Sequence, residues 1–279
     1  MFAKLLKYNF KDTKRIGIPI LICLLGITVL GCVDLGVMIS YNKGGTDGSV
    51  LSAIFNMLLM LGMMLVVLSL IFAVLVMLLF ICVNFYKNLV SDEGYLTFTL
   101  PVKADDILLS KVVNGIIWLA IVVISVVISA CALIMSASYF SGGNAFLMFD
   151  EIGRFFGILF EEYKASYVIV TIIMAILAIV VYAISNLLLY YMAIFMGSVV
   201  ARKNKVLAAI GLVYGFNIVY GIVQNIAFFV FAASVFNSAV PALSYVNIFL
   251  AIIIVCSILF SVLFWCLTKY MMEKKLNLA

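Results

Sequence analysis

Few side chains in this sequence could perform catalytic chemistry. The chain contains no His, which excludes Ser-His and Cys-His nucleophilic pairs, HExxH zinc sites and imidazole proton relays. It also lacks a G-x-x-x-x-G-K-[ST] phosphate loop, since neither Gly44-Gly45 nor Gly142-Gly143 is followed by Lys and Ser or Thr. The six Cys lie in apolar stretches without C-x-x-C spacing, so we expect small buried apolar side chains. We therefore expect no enzyme activity and no metal site in this chain.

One carboxylate, Asp34, interrupts an apolar stretch. An ionisable residue in a membrane span is a functional candidate by default, because its charge is costly to bury in lipid. Asp34 also lies only a few residues from the predicted outer end of its span, where it could reach water. Both interpretations stay open at this point, and a single acid gives little support to ion-coupled transport.

The elements that must position these residues are membrane helices. Hydrophobic residues make up 67% of the 279 residues and charged residues 10%, whereas soluble domains have about 45–50% and about 25%. Helices are expected because lipid offers no partner for unpaired backbone groups. The charge-free stretches predict an all-α membrane protein with six transmembrane helices, at approximately 16–39, 52–83, 112–137, 166–200, 206–233 and 246–268.

The basic residues predict the orientation of these helices. Only Lys43, Arg154 and Lys164 of the 17 Lys and Arg residues fall on the side opposite the termini. Because cytoplasmic loops carry an excess of Lys and Arg, we predict that both termini are cytoplasmic. The net charge of +5 is thus a topology signal, and no nucleic-acid partner is expected.

Two further segments are amphipathic. Residues 1–15 carry Phe2, Leu5, Leu6 and Phe10 at helical spacing with Lys on the opposite face, which predicts an interfacial helix preceding a single transmembrane domain over 16–279. The alternative is a helical basic flank of the first span. The external stretch 138–165 predicts an aromatic-rich helix at the outer interface, serving as a gate, as a guide for an amphipathic substrate, or only as an anchor.

The fifth predicted helix carries polar side chains at helical spacing and a GxxxG pattern. Small residues let helices approach closely, and amides form hydrogen bonds between them. Two interpretations stay open, packing within the chain and a translocation path or dimer seam. The residues concerned are Gly211, Tyr214, Gly215, Asn217, Gln224 and Asn225.

The loop between the second and third predicted helices is about 28 residues long and half apolar, whereas most such loops are short. Asp92 and Glu93 precede Gly94, an aromatic run follows, and Pro101 ends it. Asp105 and Asp106 are placed to favour the N-terminus of the next helix. Apolar side chains exposed in such a loop indicate a protein partner that covers them.

The run FYKNLVSDEGYLTFTLPVKADDILLSKVVNGIIW, residues 85–118, resembles the corresponding loop of ABC-2 type transporter permeases. In that family the loop carries a cytoplasmic coupling helix that docks on a separate ATP-binding subunit. The remaining likeness is architectural: an amphipathic N-terminal segment, six spans and inside termini. By this resemblance the coupling contact is formed by Asp92, Glu93, Gly94, Tyr95, Leu96, Thr97, Phe98 and Pro101.

The resemblance implies the membrane subunit of an ATP-driven exporter in a bacterial cytoplasmic membrane. Its partners would be an ABC ATP-binding subunit, which holds ATP and Mg²⁺, and a second permease subunit, identical or homologous. The scarcity of charge in the spans favours an apolar or amphipathic substrate such as a peptide, an antibiotic or a lipid. The alternatives are a non-transporting sensor or immunity scaffold of the same architecture and an autonomous secondary transporter, for which no internal repeat is visible.

Overall fold

The structure is a computed structural model that describes residues 2–44, 50–90, 103–144, 146–200, 204–235 and 242–274. The described residues form seven α-helices and contain no strand. In chain order the helices are α1 (Phe2–Lys43), α2 (Val50–Leu89), α3 (Ala104–Ser141), α4 (Leu147–Glu162), α5 (Ala165–Val200), α6 (Lys205–Val235) and α7 (Ala242–Lys274).

Every described helix except α4 is long and apolar enough to cross a membrane. These six candidate spans confirm the predicted all-α class and a multi-pass membrane protein. The predicted spans 166–200 and 206–233 agree closely with α5 and α6. The predicted span 246–268 lies within the longer α7.

The first helix differs from the prediction at its beginning. Residues 2–15 are helical, but they form the first turns of one helix that runs to Lys43, so no helix end separates them from the first span. Pro19 lies inside this helix. The Asn9 amide donates a hydrogen bond to Ser110 Oγ at 3.0 Å, and the Phe10 ring stacks on Trp118 at 5.2 Å. The predicted apolar face therefore packs partly against α3, and its position at a lipid interface stays a prediction.

The loop between α2 and α3 is shorter than the predicted stretch of about 28 residues. Helix α2 continues to Leu89, beyond the predicted end at 83, and α3 begins at Ala104, before the predicted start at 112. The physical reason is burial, because Leu89 and Leu108 are fully enclosed by protein. Part of the apolar content attributed to an exposed loop thus belongs to packed helix ends.

The chain divides into two compact units, and their boundaries fall within α1, α2, α3 and α4. The N-terminal unit comprises residues 10–80 and 117–159, and the C-terminal unit comprises residues 1–9, 81–116 and 160–279.

A small residue brings three helices of the N-terminal unit close together. A Cβ atom on Gly31 would lie 2.8 Å from Val66 and 3.0 Å from Leu133, so α1 contacts both α2 and α3 there. These two side chains join Leu24 and Leu70 in a buried apolar cluster. The absence of a side chain at position 31 is what permits this approach.

In the C-terminal unit α5 is the central helix, and it packs against α6 and α7. A Cβ atom on Gly197 would lie 2.6 Å from the backbone nitrogen of Ala209, so α5 and α6 touch through their backbones. Helices α6 and α7 are joined by a buried hydrogen bond of 2.8 Å between Tyr220 Oη and Ser257 Oγ. This unit therefore has a tightly packed interior of helix faces.

Helix α4 follows α3 after a short link and precedes α5 directly. It confirms the predicted helix within the stretch 138–165. Nearly all of its described side chains are exposed. Its role as a gate, guide or anchor stays a prediction.

Candidate functional site

The coupling residues predicted from the sequence lie outside the described residues. These are Asp92, Glu93, Gly94, Tyr95, Leu96, Thr97, Phe98 and Pro101. The structure describes the two helix ends that carry this segment, the last turns of α2 and the first turns of α3. Their packing determines what a force on the segment could move.

The end of α2 is held by aromatic packing against α5. The Phe85 ring stacks face to face on Tyr191, with centroids 3.7 Å apart and an interplanar angle of 4°. Phe195 meets the same ring edge-on at 5.4 Å. All three side chains are buried. Aromatic pairs contribute about 0.5–1.5 kcal/mol beyond their burial, so this cluster fastens α2 to α5.

The beginning of α3 is held by α5 as well. The Tyr191 hydroxyl donates a hydrogen bond of 3.3 Å to the carbonyl oxygen of Lys111. A Cβ atom on Gly115 would lie 2.8 Å from Leu187, so the two helices are in close contact. Tyr191 thus touches both helices that flank the predicted coupling segment.

An ion pair ties the first turn of α3 to the last turns of α7. Lys269 Nζ donates to Asp105 Oδ2 at 2.6 Å, with both side chains partly exposed. Asp105 and Asp106 occupy the first turn of α3, as the sequence predicts. There they also face the positive end of the helix dipole.

The polar stripe on α6 divides between two faces. A Cβ atom on Gly211 or Gly215 would meet nothing within 4 Å, and Tyr214 is 69% exposed. Asn225 is also on the outside, and its amide donates to the carbonyl oxygen of Gly221 on its own helix at 2.8 Å. These four residues form what we call the open α6 face.

The other two members of the stripe lie towards the protein. Asn217 is half-buried, and its amide donates to the carbonyl oxygen of Val213 at 3.0 Å. Gln224 is half-buried too, and its Nε2 atom has no hydrogen-bond partner among the described residues. Asn217 and Gln224 are therefore the candidates for packing within the chain. The open α6 face is the candidate for a translocation path or dimer seam.

Asp34 packs against α2. Its Oδ2 atom is buried without a hydrogen-bond partner in the described part of the chain, and a Cβ atom on Gly62 would lie 2.8 Å from it. The adjacent Leu35 and Met63 belong to the edge of the buried apolar cluster. Asp34 is therefore at a helix contact with a partly exposed side chain.

Among the described residues no group of three or more His, Cys, Asp or Glu side chains comes together.

The expectation of buried cysteines is wrong, because none of the six side chains is fully enclosed by protein. In helices facing lipid, surface positions can be as apolar as the core. Cys23 and Cys266 are exposed and the others are half-buried, namely Cys32, Cys82, Cys131 and Cys256.

Several anchoring contacts were not predicted from the sequence. Tyr191 and Lys269 join the flanking helices to α5 and α7, and Ser257 pairs with Tyr220. A Tyr or Ser in an apolar stretch signals a need for a hydrogen-bond partner. That signal does not name the partner, which depends on how the helices are arranged.

Comparison of the chain with protein-family models, with curated proteins and with solved structures finds no match in any of the three.

Proposed function

We propose that this chain is the membrane-spanning permease subunit of an ATP-driven ABC-2 type exporter. The observation that carries the proposal is the segment resembling a coupling helix, together with the anchorage of both helix ends that flank it. Within the C-terminal unit, Phe85 on α2 contacts α5 and Asp105 on α3 contacts α7. These contacts would let a force on the segment reach both α5 and α7, which a coupling segment requires.

The proposed mechanism follows from these contacts. A partner ATPase that pulls on residues 92–101 would displace the ends of α2 and α3. Tyr191 would pass this displacement to α5, and Lys269 would pass it to α7. Transport then requires only that the substrate bind the inward and outward arrangements with different affinity. ATP and Mg²⁺ would be held by the partner subunit.

In this proposal the open α6 face meets either a second permease subunit or the substrate path. Gly211 and Gly215 leave room for a close approach, and Tyr214 and Asn225 offer polar groups. An apolar or amphipathic substrate would suit this face, because no charged side chain lies on α6 beyond its first residue. A peptide, an antibiotic or a lipid would fit this chemistry.

The coupling assignment is tested by charge reversal. The ABC ATP-binding partner is first identified by co-purification with the unaltered chain, and the full chain carrying Asp92→Lys and Glu93→Lys should then lose most of this co-purification. The matched control is Glu161→Lys with Glu162→Lys, an acidic pair on the predicted outer side. The control should retain binding. Unchanged association and unchanged stimulated ATPase activity in the Asp92 and Glu93 variant would contradict the assignment.

A second candidate, secondary transport, is favoured by one observation. Asp34 places a carboxylate oxygen without a described partner at a helix contact. If a cation gradient drives transport, Asp34→Asn should abolish uptake or efflux in vesicles that contain no ATP. Transport that needs ATP and survives Asp34→Asn would exclude this candidate and favour the exporter.

A further inference from the structure

Helix α4 has two chemically distinct faces. The side chains of Met148, Phe149, Ile152, Phe155, Phe156 and Leu159 fall within one arc of its helical wheel. The opposite arc carries Asp150, Glu151, Arg154 and Glu161. Such a division is typical of a helix that lies at a boundary between an apolar and a polar medium.

The apolar face has little cover from the described chain. Phe155 is 59% exposed and Phe149 is 51% exposed. Ile152 on the same face is 44% exposed. Exposed aromatic side chains on one helix face indicate an occupant that the described residues do not supply.

Connectivity places α4 beside a membrane surface. Helix α3 ends at Ser141 and α5 begins at Ala165, and both are candidate spans. The links on either side of α4 are short, so both of its ends remain near the level at which the two spans leave the lipid. The apolar face therefore lies at the level of the lipid surface.

Aromatic residues at the neighbouring helix ends agree with this placement. Tyr139 near the end of α3 is 67% exposed, and Tyr167 near the beginning of α5 is 53% exposed. Tyr is enriched where helices pass through the headgroup region, because its ring prefers apolar surroundings and its hydroxyl prefers water. Each of these two helix ends therefore has the composition of a membrane boundary.

The charge of α4 indicates which lipid headgroups it favours. Its acidic side chains outnumber the single Arg154, whose guanidinium pairs with Glu151 at 2.9 Å. Interfacial helices that rely on Lys and Arg are attracted to anionic lipids. Helix α4 carries a net negative charge, so anionic headgroups repel it. Zwitterionic headgroups also carry a positive group and do not repel it.

We propose that α4 lies in the membrane surface where α3 ends and α5 begins, with its apolar face inserted in lipid and its acidic face selecting zwitterionic over anionic headgroups. The proposal is independent of the transport role.

The test uses spin labels on the full chain in phosphatidylcholine nanodiscs. Single Cys residues are introduced at Ile152 and Phe155 on the apolar face and at Asp150 and Arg154 on the polar face, in a background with the native Cys replaced. Labels at the apolar positions should be more accessible to oxygen than to a water-soluble nickel chelate. Labels at the polar positions should show the reverse.

Two results overturn the placement. Equal accessibility to the nickel chelate at all four positions would place α4 in water. Protection of Ile152 and Phe155 from both reagents would mean that protein covers the face.

A second comparison tests the headgroup preference. Replacing part of the phosphatidylcholine with phosphatidylglycerol should lower the oxygen accessibility of the Phe155 label and raise its nickel accessibility. Neutralising the polar face with Glu151→Gln and Glu161→Gln should abolish this shift. An unchanged or deeper Phe155 label in the anionic nanodiscs would overturn the preference.

Discussion

Replacing Gly197 with Ala perturbs the contact between α5 and α6 at its closest point. The added methyl group would lie 2.6 Å from the backbone nitrogen of Ala209 and 2.8 Å from its Cα and Cβ atoms. The obstructing atoms belong mainly to the backbone, so no side chain can rotate out of the way. The two helices would have to separate until the distance approaches the 3.4 Å of ordinary contact.

Two opposing contributions determine how Gly197→Ala changes the free energy of unfolding. Overpacking a filled contact costs about 1–3 kcal/mol, whereas Gly→Ala within a helix gains up to about 1 kcal/mol. Gly26→Ala in α1 is the matched control, because its methyl group would enter open space. The helix term is common to both variants. The free energy of unfolding should therefore be lower for Gly197→Ala than for Gly26→Ala by about 1–3 kcal/mol.

Thermal unfolding of both variants in nanodiscs measures this difference. Domains of 150–250 residues lose about 2–4 °C of Tm per kcal/mol, so Gly197→Ala should unfold roughly 2–12 °C below the control. Equal midpoints, or a higher midpoint for Gly197→Ala, would refute the reasoning that the two backbones are in contact.

Three other substitutions test contacts described above. Tyr220→Phe should destabilise the fold, and a double-mutant cycle in thermal unfolding with Ser257→Ala should give a coupling energy of about 0.6–1.7 kcal/mol; an additive cycle would contradict the hydrogen bond. Phe85→Ala should cost about 3–5 kcal/mol of unfolding free energy and reduce substrate-stimulated activity of the bound ATPase; loss of stability with normal stimulation would contradict its role in transmission. Gly62→Ala should lower the Tm in the natural sequence but have little effect in an Asp34→Ala background, because the obstructing carboxylate is then absent; equal losses in both backgrounds would contradict the contact.

The membrane architecture could be predicted from the sequence because one physical term dominates it. A spanning helix requires about 20 apolar residues, and charged residues mark where lipid ends. Helix α5 therefore agrees with its predicted span. The ends of α2 and α3 could not be placed in this way, because the charges at Lys87 and Asp105 do not stop a helix once it has left the lipid. Burial of Leu89 and Leu108 extends both helices.

The candidate site was predicted less completely, for a different physical reason. Asp105 was expected at a helix start from its local position alone, and it lies there. Its partner Lys269 is distant in sequence, and only the packing of α7 brings the two together. The stacking of Phe85 on Tyr191 depends likewise on which helix faces meet. The coupling role of residues 92–101 stays a prediction.

The uninterrupted length of α1 has a practical consequence for imaging. Its 42 residues span about 63 Å at about 1.5 Å per residue, whereas the hydrocarbon core is about 30 Å thick. The helix therefore continues beyond the lipid, and it contacts α3 at Asn9 and Phe10. A helical domain fused in register before Phe2 would continue α1 outside the lipid. Such a fusion would add an alignment marker to a chain of 30.7 kDa, which alone offers little mass outside a nanodisc for single-particle averaging.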